Sequence, residues 1–289
     1  MSAFPQLADI ELVLANGCIR TGSLADRCEA AVDGGFSAIG WSWRNYGRAI
    51  AAGHSPAELA RTVADSGLRL IEIETITGFA DPDPTRRDLL GRARHVSEEG
   101  RRLVFEMADT FGARHVQVVG SFVDPLEPNV VDAFAALCDD AGEHGLLVAL
   151  EFVPCTNIPD AATALRIVED ANRANGGLCV DIWHHERGAR DLDQIAAIPA
   201  ERIVMIQLDD GPLKPRDPDF VTDTTRYRDL PGSGEFDIES FLRTLWRTGS
   251  RAPISVEVMS DDLYELPPDE AVRRIARATM ASLTAALTP

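Results

Sequence analysis

Apolar residues recur along this chain in two alternating rhythms. Short runs rich in Val, Ile and Leu, bounded by turn residues, read as strands covered on both faces. They fall at Ile10–Ala15, Ser37–Trp41, Arg69–Glu74, His115–Val119, Leu147–Phe152, Leu178–Ile182, Ile203–Leu208 and Ile254–Val258. Between them lie amphipathic stretches with helical start and stop signals. Ser55-Pro56-Ala57-Glu58 offers an N-cap, a proline at the first helical position and an acidic first turn. Gly67 then stops that helix just before the third strand. Eight strands alternating with helices predict α/β architecture closed into a (β/α)8 TIM barrel, with a doubly wound sheet as the alternative. The count of eight, and the absence of an early G-x-G-x-x-G turn, favour the barrel. No linker-like shift in composition divides the chain, so residues 1–289 are expected to form a single domain.

Two connections are longer than a barrel usually carries. Asp81–Gly100 is charged, and Gly211–Asp237 holds several prolines and glycines. Both follow strands, which places them on the catalytic face as lids or binding loops.

Charge narrows the partners. The formal net charge is -18, with Asp+Glu 46 against Lys+Arg 28. Such a surface repels phosphate backbones and anionic bilayers, so no nucleic acid and no membrane is expected as a partner. No apolar run approaches the length of a membrane span, and the first residues carry no secretory pattern, which makes the cytoplasm the expected address. The one lysine, Lys214, sits in a Pro-rich turn, which disfavours Schiff-base chemistry. The five cysteines form no C-x-x-C pair, so neither a disulfide framework nor a zinc knuckle is suggested.

Four successive strands end in an oxygen-bearing side chain that a barrel wall does not need: Glu151, Asp181, Gln207 and Glu257. A single acidic residue at a strand end is usually a helix cap or an ion-pair partner. Four in sequence bring three carboxylates to one end of the barrel, where they repel and raise one another's pKa values. A hard divalent cation relieves this, and oxygen ligands suit Mn²⁺ or Mg²⁺, with Co²⁺ possible.

With these residues the chain resembles the xylose isomerase-like barrels, the sugar phosphate isomerases and epimerases. The resemblance runs from Gly34-Gly35-Phe36 to Glu257 and is closest to the hydroxypyruvate isomerase and ketose 3-epimerase branch. It implies Glu151, Asp181, Gln207 and Glu257 as metal ligands. Ile206-Gln207-Leu208-Asp209 and Pro231-Gly232-Ser233-Gly234-Glu235 look like the family's segment after strand seven. His184, three residues after Asp181, corresponds to a family histidine that touches substrate oxygens. Dimers or tetramers are usual among such proteins, which makes a homo-oligomer the expectation.

The chain departs from that pattern in two places. The run Gly211–Arg228 is longer than in a hydroxypyruvate isomerase, and Arg216, Arg226 and Arg228 in it are candidates for an anionic or polyhydroxyl group. Trp41 and Trp43 stand where the family usually ends strand two in an aliphatic-Glu pair, and an aromatic wall would suit a ring-shaped substrate. Glu74 and Gln117 are further candidates to face the substrate. The bland alternatives are core packing for the tryptophans, solvation for the arginines and structural hydrogen bonding for Glu74 and Gln117.

The function expected is a metal-dependent isomerase or epimerase on a sugar-like α-hydroxy ketone or aldehyde, working through an enediolate. Glu151 and Glu257 would remove and return protons on either side of that intermediate. A dehydratase or lyase using the same site is the alternative, because an enolate with a β-leaving group expels it. An abasic-site nuclease, sharing this barrel, is disfavoured by only six histidines and the acidic balance.

Overall fold

The structure is a computed structural model that describes residues 4–80, 96–122 and 125–288. Eight parallel strands close a barrel in sequence order, with helices between them. They are β1 Leu12–Leu14, β2 Ala38–Ser42, β3 Arg69–Thr77, β4 His115–Val119, β5 Leu147–Glu151, β6 Gly176–Asp181, β7 Ile203–Leu208 and β8 Ile254–Val256. Every predicted strand is present. β3 runs on to Thr77, while β1 and β8 are shorter than the apolar pattern suggests. Most of the Asp81–Gly100 connection lies outside the described residues; its end forms the helix Glu98–Phe111, capped by Ser97. The Gly211–Asp237 connection holds the helix Phe220–Arg226.

Local chemistry starts and stops the helices as expected. Ser55 and Glu58 form a reciprocal capping box with Pro56 at the first turn, and Gly67 follows at φ +79, where a β-carbon would be strained. The helix Ile238–Arg247 buries Ile238, Phe241, Leu242, Leu245 and Trp246, a 3–4 spacing that lays one stripe against the barrel. Each such side chain contributes about 1.5–3 kcal/mol on burial.

The main core lies between strands and helices, while the barrel interior is layered. Val13, Ala38 and Ile71 form one small apolar cluster, and Ala149, Cys179 and Met205 belong to another. Towards the C-terminal strand ends the interior turns polar. Register sets the stagger there: Asp181 pairs with Gln207, Glu151 lies opposite Cys179, and Gln207 lies opposite Ser255. Among the described residues no helix is long and apolar enough to cross a membrane.

Candidate active site

The C-terminal strand ends enclose a cavity of about 280 Å³. Glu74, Thr75 and Thr77 enter it from β3, Gln117 and Val119 from β4, Glu151 from β5 and Glu257 from just beyond β8. Asp181 ends β6 and also caps the helix Ile182–Arg187, its Oδ1 accepting from the Trp183 N–H at 2.8 Å. That short helix brings His184 Nε2 to 3.4 Å from Glu151 Oε1 and 3.5 Å from Asp181 Oδ2. One ligand atom from each of Glu151, Asp181 and His184 lies within 4.8 Å of the other two. Gln207 is fully buried, and its Oε1 accepts from Gln117 Nε2 at 3.3 Å. The same Gln117 nitrogen donates to Glu151 Oε2 at 2.9 Å, and Thr75 Oγ1 donates to Gln117 Oε1 at 3.1 Å.

Glu151, Asp181 and His184 reach the spacing a divalent cation needs, whereas Glu257, paired with Arg228, does not join them at that spacing. Metal–oxygen bonds run about 2.0–2.2 Å, so atoms at this spacing can close on one ion with small side-chain shifts. Burial pushes the Glu257 carboxyl well above the usual carboxylate range despite the pull of Arg228, and Glu74, Asp181 and Glu151 add repulsion. A cation beside it removes that cost. The amide Nε2 of Gln207 and His184 Nδ1 find no partner among the described residues, so both side chains retain polar capacity at the site.

Arg228 is the arginine of the long loop that reaches this cluster. It is fully buried, with Nη1 3.2 Å from Asp181 Oδ2 and Nη2 3.3 Å from Glu257 Oε2, and it pairs with Asp209 as well. Arg216 does not line the cavity. Its guanidinium forks onto Asp229 at 2.8 and 2.9 Å and donates to the Tyr227 carbonyl, which turns it along the loop surface. Arg226 pairs with Asp261 at the surface.

Trp41 of β2 and Trp43, which starts the helix after it, are both packing residues. Gly40 faces the barrel interior, so Trp41, its neighbour, points outward into the core and packs edge-on against Tyr46 and Phe111. Trp43 donates its indole N–H to the Thr75 carbonyl at 3.0 Å, and Arg44 lies over its ring. Neither lines the cavity; the rings on its described walls are Phe122 and Phe220, with His184 among them.

The long loop is latched at two points. Asp223 accepts from Arg187 Nε and the Arg216 N–H, both at 2.8 Å, and Trp183 Nε1 donates to Thr224 Oγ1 at 2.9 Å. Thr224 and Phe220 from this helix form part of the cavity wall. At the loop's neck, Asp210 and Asp229 form an antiparallel bridge. The Asp210 carboxylate gathers four backbone N–H groups, from Gly211, Gly232, Gly234 and Phe236, at 2.7 to 3.0 Å. Sequence reasoning did not single out Asp210, Asp223, Trp183 or Glu72. For Glu72 the signal is present: Glu72 and Glu74 alternate with Ile71 and Ile73 in the middle of the strand.

Comparison with known proteins places the fold. The chain is 29% identical over 252 residues to a 3-dehydroshikimate dehydratase of Pseudomonas aeruginosa, covering 86% of this chain and 38% of that protein. It is 27% identical over 185 residues to an inosose isomerase of Bacillus subtilis, covering 61% of this chain and 65% of that one. This chain thus spans less than two thirds of either relative. Among solved structures, the IOLI protein with a bound zinc atom superposes with a TM-score of 0.80 at 21% identity, covering 97% of this chain and all of the other, 100%. A D-allulose 3-epimerase from Methylomonas gives a TM-score of 0.69 at 16% identity, covering 96% of this chain and 98% of the epimerase. A family model matches residues 28–282, and the chain therefore belongs to the xylose isomerase-like TIM barrel family.

Proposed function

We propose that this chain is a divalent-metal-dependent isomerase or epimerase acting on a sugar-like α-hydroxy ketone or aldehyde through an enediolate. The observation that carries the reading is the convergence of Glu151, Asp181 and His184 within 4.8 Å, beside buried Gln207 and Glu257. Glu151, Asp181, Gln207 and Glu257 would hold the ion, and the oxygen-rich set suits manganese or magnesium, with cobalt possible. His184 within reach also admits zinc. A bound divalent ion would polarise the substrate carbonyl and acidify the adjacent C–H bond.

The remaining chemistry belongs to the side chains. Glu257 and Glu151 take the proton from carbon and return it: to the neighbouring carbon for isomerisation, to the opposite face for epimerisation. Gln117 fixes the orientation of Glu151, and Phe122 and Phe220 help keep water from the cavity. Likeness to the isomerase and the dehydratase supports a polyhydroxylated ketone as substrate class. Loss of water is a second reading, favoured by Glu74, a buried carboxyl on the cavity wall outside the ligand set.

Metal-reconstituted protein incubated with ketoses and keto-inositols in D₂O tests the proposal by NMR. Deuterium is expected at the carbon next to the carbonyl, and Glu257→Gln should slow its entry by roughly 100-fold or more. No deuterium entry with any of these substrates would overturn it.

A further inference from the structure

β3 carries two acidic side chains on its inward face, and only Glu74 lines the cavity. Glu72 lies deeper. The two carboxyl groups come to the same place: a β-carbon built on Gly40 of β2 would lie 3.1 Å from Glu74 Oε1 and 3.2 Å from Glu72 Oε1. Glu72 is fully buried, and neither of its carboxyl oxygens makes a hydrogen bond of good geometry among the described residues. Its polar neighbours are the Ser255 hydroxyl and the Glu74 carboxyl. Glu74 Oε1 accepts the Asn16 N–H at 2.7 Å. Arg27, whose charge Glu74 feels, spends its guanidinium on the carbonyls of Ala15, Asn16 and Ile19.

Two buried carboxyls this close together cannot both stay ionised unless a cation or a proton is shared between them. Among the described residues no third acidic, His or Cys ligand joins them at ligand spacing, so a shared proton is the simplest resolution. Burial pushes Glu72 up to about 7. It raises Glu74 well above the usual carboxylate range, and repulsion from Glu72 adds to the effect. Glu257 and Glu151, at longer range, push the same way only in the metal-free protein; with an ion bound to them, burial and the closeness of the two carboxyls remain as the causes.

We propose that Glu72 and Glu74 share one proton, and that Glu74 delivers it to a substrate hydroxyl β to the carbonyl, so that the enolate expels water. The proposal rests on the enolate chemistry above and assigns it a second outcome. In the step, the Glu74 O–H bond breaks and its electron pair stays on the carboxylate. The C–O bond breaks with its electrons on the departing oxygen, which leaves as water, while the enolate electrons close a C=C bond. The proton taken from carbon by Glu257 passes to solvent, and solvent returns one to the Glu72–Glu74 pair. No oxidant or reductant is required. Glu74 is the catalytic acid; Glu72 is a positioning residue that keeps the proton in place.

Two measurements on the metal-loaded protein test this. Infrared difference spectra of wild type against Glu72→Gln should show loss of a protonated-carboxyl C=O band, because the substituted amide can donate where the shared proton stood. An unchanged band overturns the shared proton, whatever the activity. With a cyclic β-hydroxy ketone in D₂O, Glu74→Gln should cut water loss by roughly 100-fold or more while cutting deuterium entry at the acidic carbon by no more than about tenfold. Water loss at the wild-type rate in Glu74→Gln overturns the acid role. Wild-type deuterium entry without any water loss overturns it too, yet leaves the enolate reading standing. No deuterium entry in wild type overturns both.

Discussion

Arg228 is 1% exposed and meets Asp181, Asp209 and Glu257 at once. A buried cation with three acidic neighbours is held by them as much as it holds them, and removing it leaves uncompensated negative charge. Breaking a buried ion pair costs about 3–5 kcal/mol. Arg228→Met should therefore lower the stability of metal-free protein by about that amount in urea unfolding. The loss should shrink when a divalent ion is added, since the ion takes over neutralisation of Asp181 and Glu257. An equal loss with and without metal would contradict this division of labour. At this scale the sequence was legible where a residue type conflicted with its setting: a carboxylate at the end of an apolar strand announces itself. It was not legible for the arginines. Arg216, Arg226 and Arg228 occupy one loop, and only the folded chain shows that two of them are taken by Asp229 and Asp261.

The helix Phe220–Arg226 has little apolar surface of its own and depends on its latches. Asp223, buried against Arg187, holds the preceding turn through the Arg216 and Asp217 N–H groups. Asp223→Ala would free these groups and leave Arg187 buried without its partner. Amide hydrogen exchange across 212–228 should rise, with local protection falling by about 3–5 kcal/mol. KM should rise with it, because Phe220 and Thr224 line the cavity, while metal affinity should hold, because Glu151, Asp181 and Gln207 sit on strands and Glu257 directly follows one. Unchanged exchange would show that the Trp183–Thr224 contact suffices alone. The strands themselves were readable because each is a short apolar run between turn signals. Their ends were not, since ladder hydrogen bonds decide them: β3 runs on to Thr77 by pairing with β4. Trp41 was misplaced for a similar reason, and Trp43 because it lies beyond the strand, at the start of the helix Trp43–Ala51. Strand alternation puts Gly40 inside and Trp41 outside, and a run of five residues does not reveal which parity faces the barrel axis.

The molecule as a whole gathers most of its interior acidity at one end of a closed barrel, above apolar clusters. Stability and metal binding are then linked. At a free ion concentration 100 times the dissociation constant, binding to the folded state alone adds about 2.7 kcal/mol. Calorimetry should show one cooperative transition that moves up with metal, and Asp181→Asn should remove that shift. Two separate transitions would mean that the chain is not the single domain expected from its even composition. Barrel closure was legible from the count and alternation of elements. The polar interior was less so, because only the folded barrel brings Glu72 and Glu74 together beside Gly40 and Gln117 to Glu151 and Gln207. The neck of the long loop has a consequence for how such a protein changes over generations. Asp210 gathers the backbone N–H groups of Gly211, Gly232, Gly234 and Phe236, so the segment between them enters and leaves the barrel at one fixed point. Its length and composition can drift, or be exchanged for those of a relative, without shifting the strand that carries Gln207. New substrate preferences can arise by replacing this one cassette, provided that it restores an arginine to the place of Arg228.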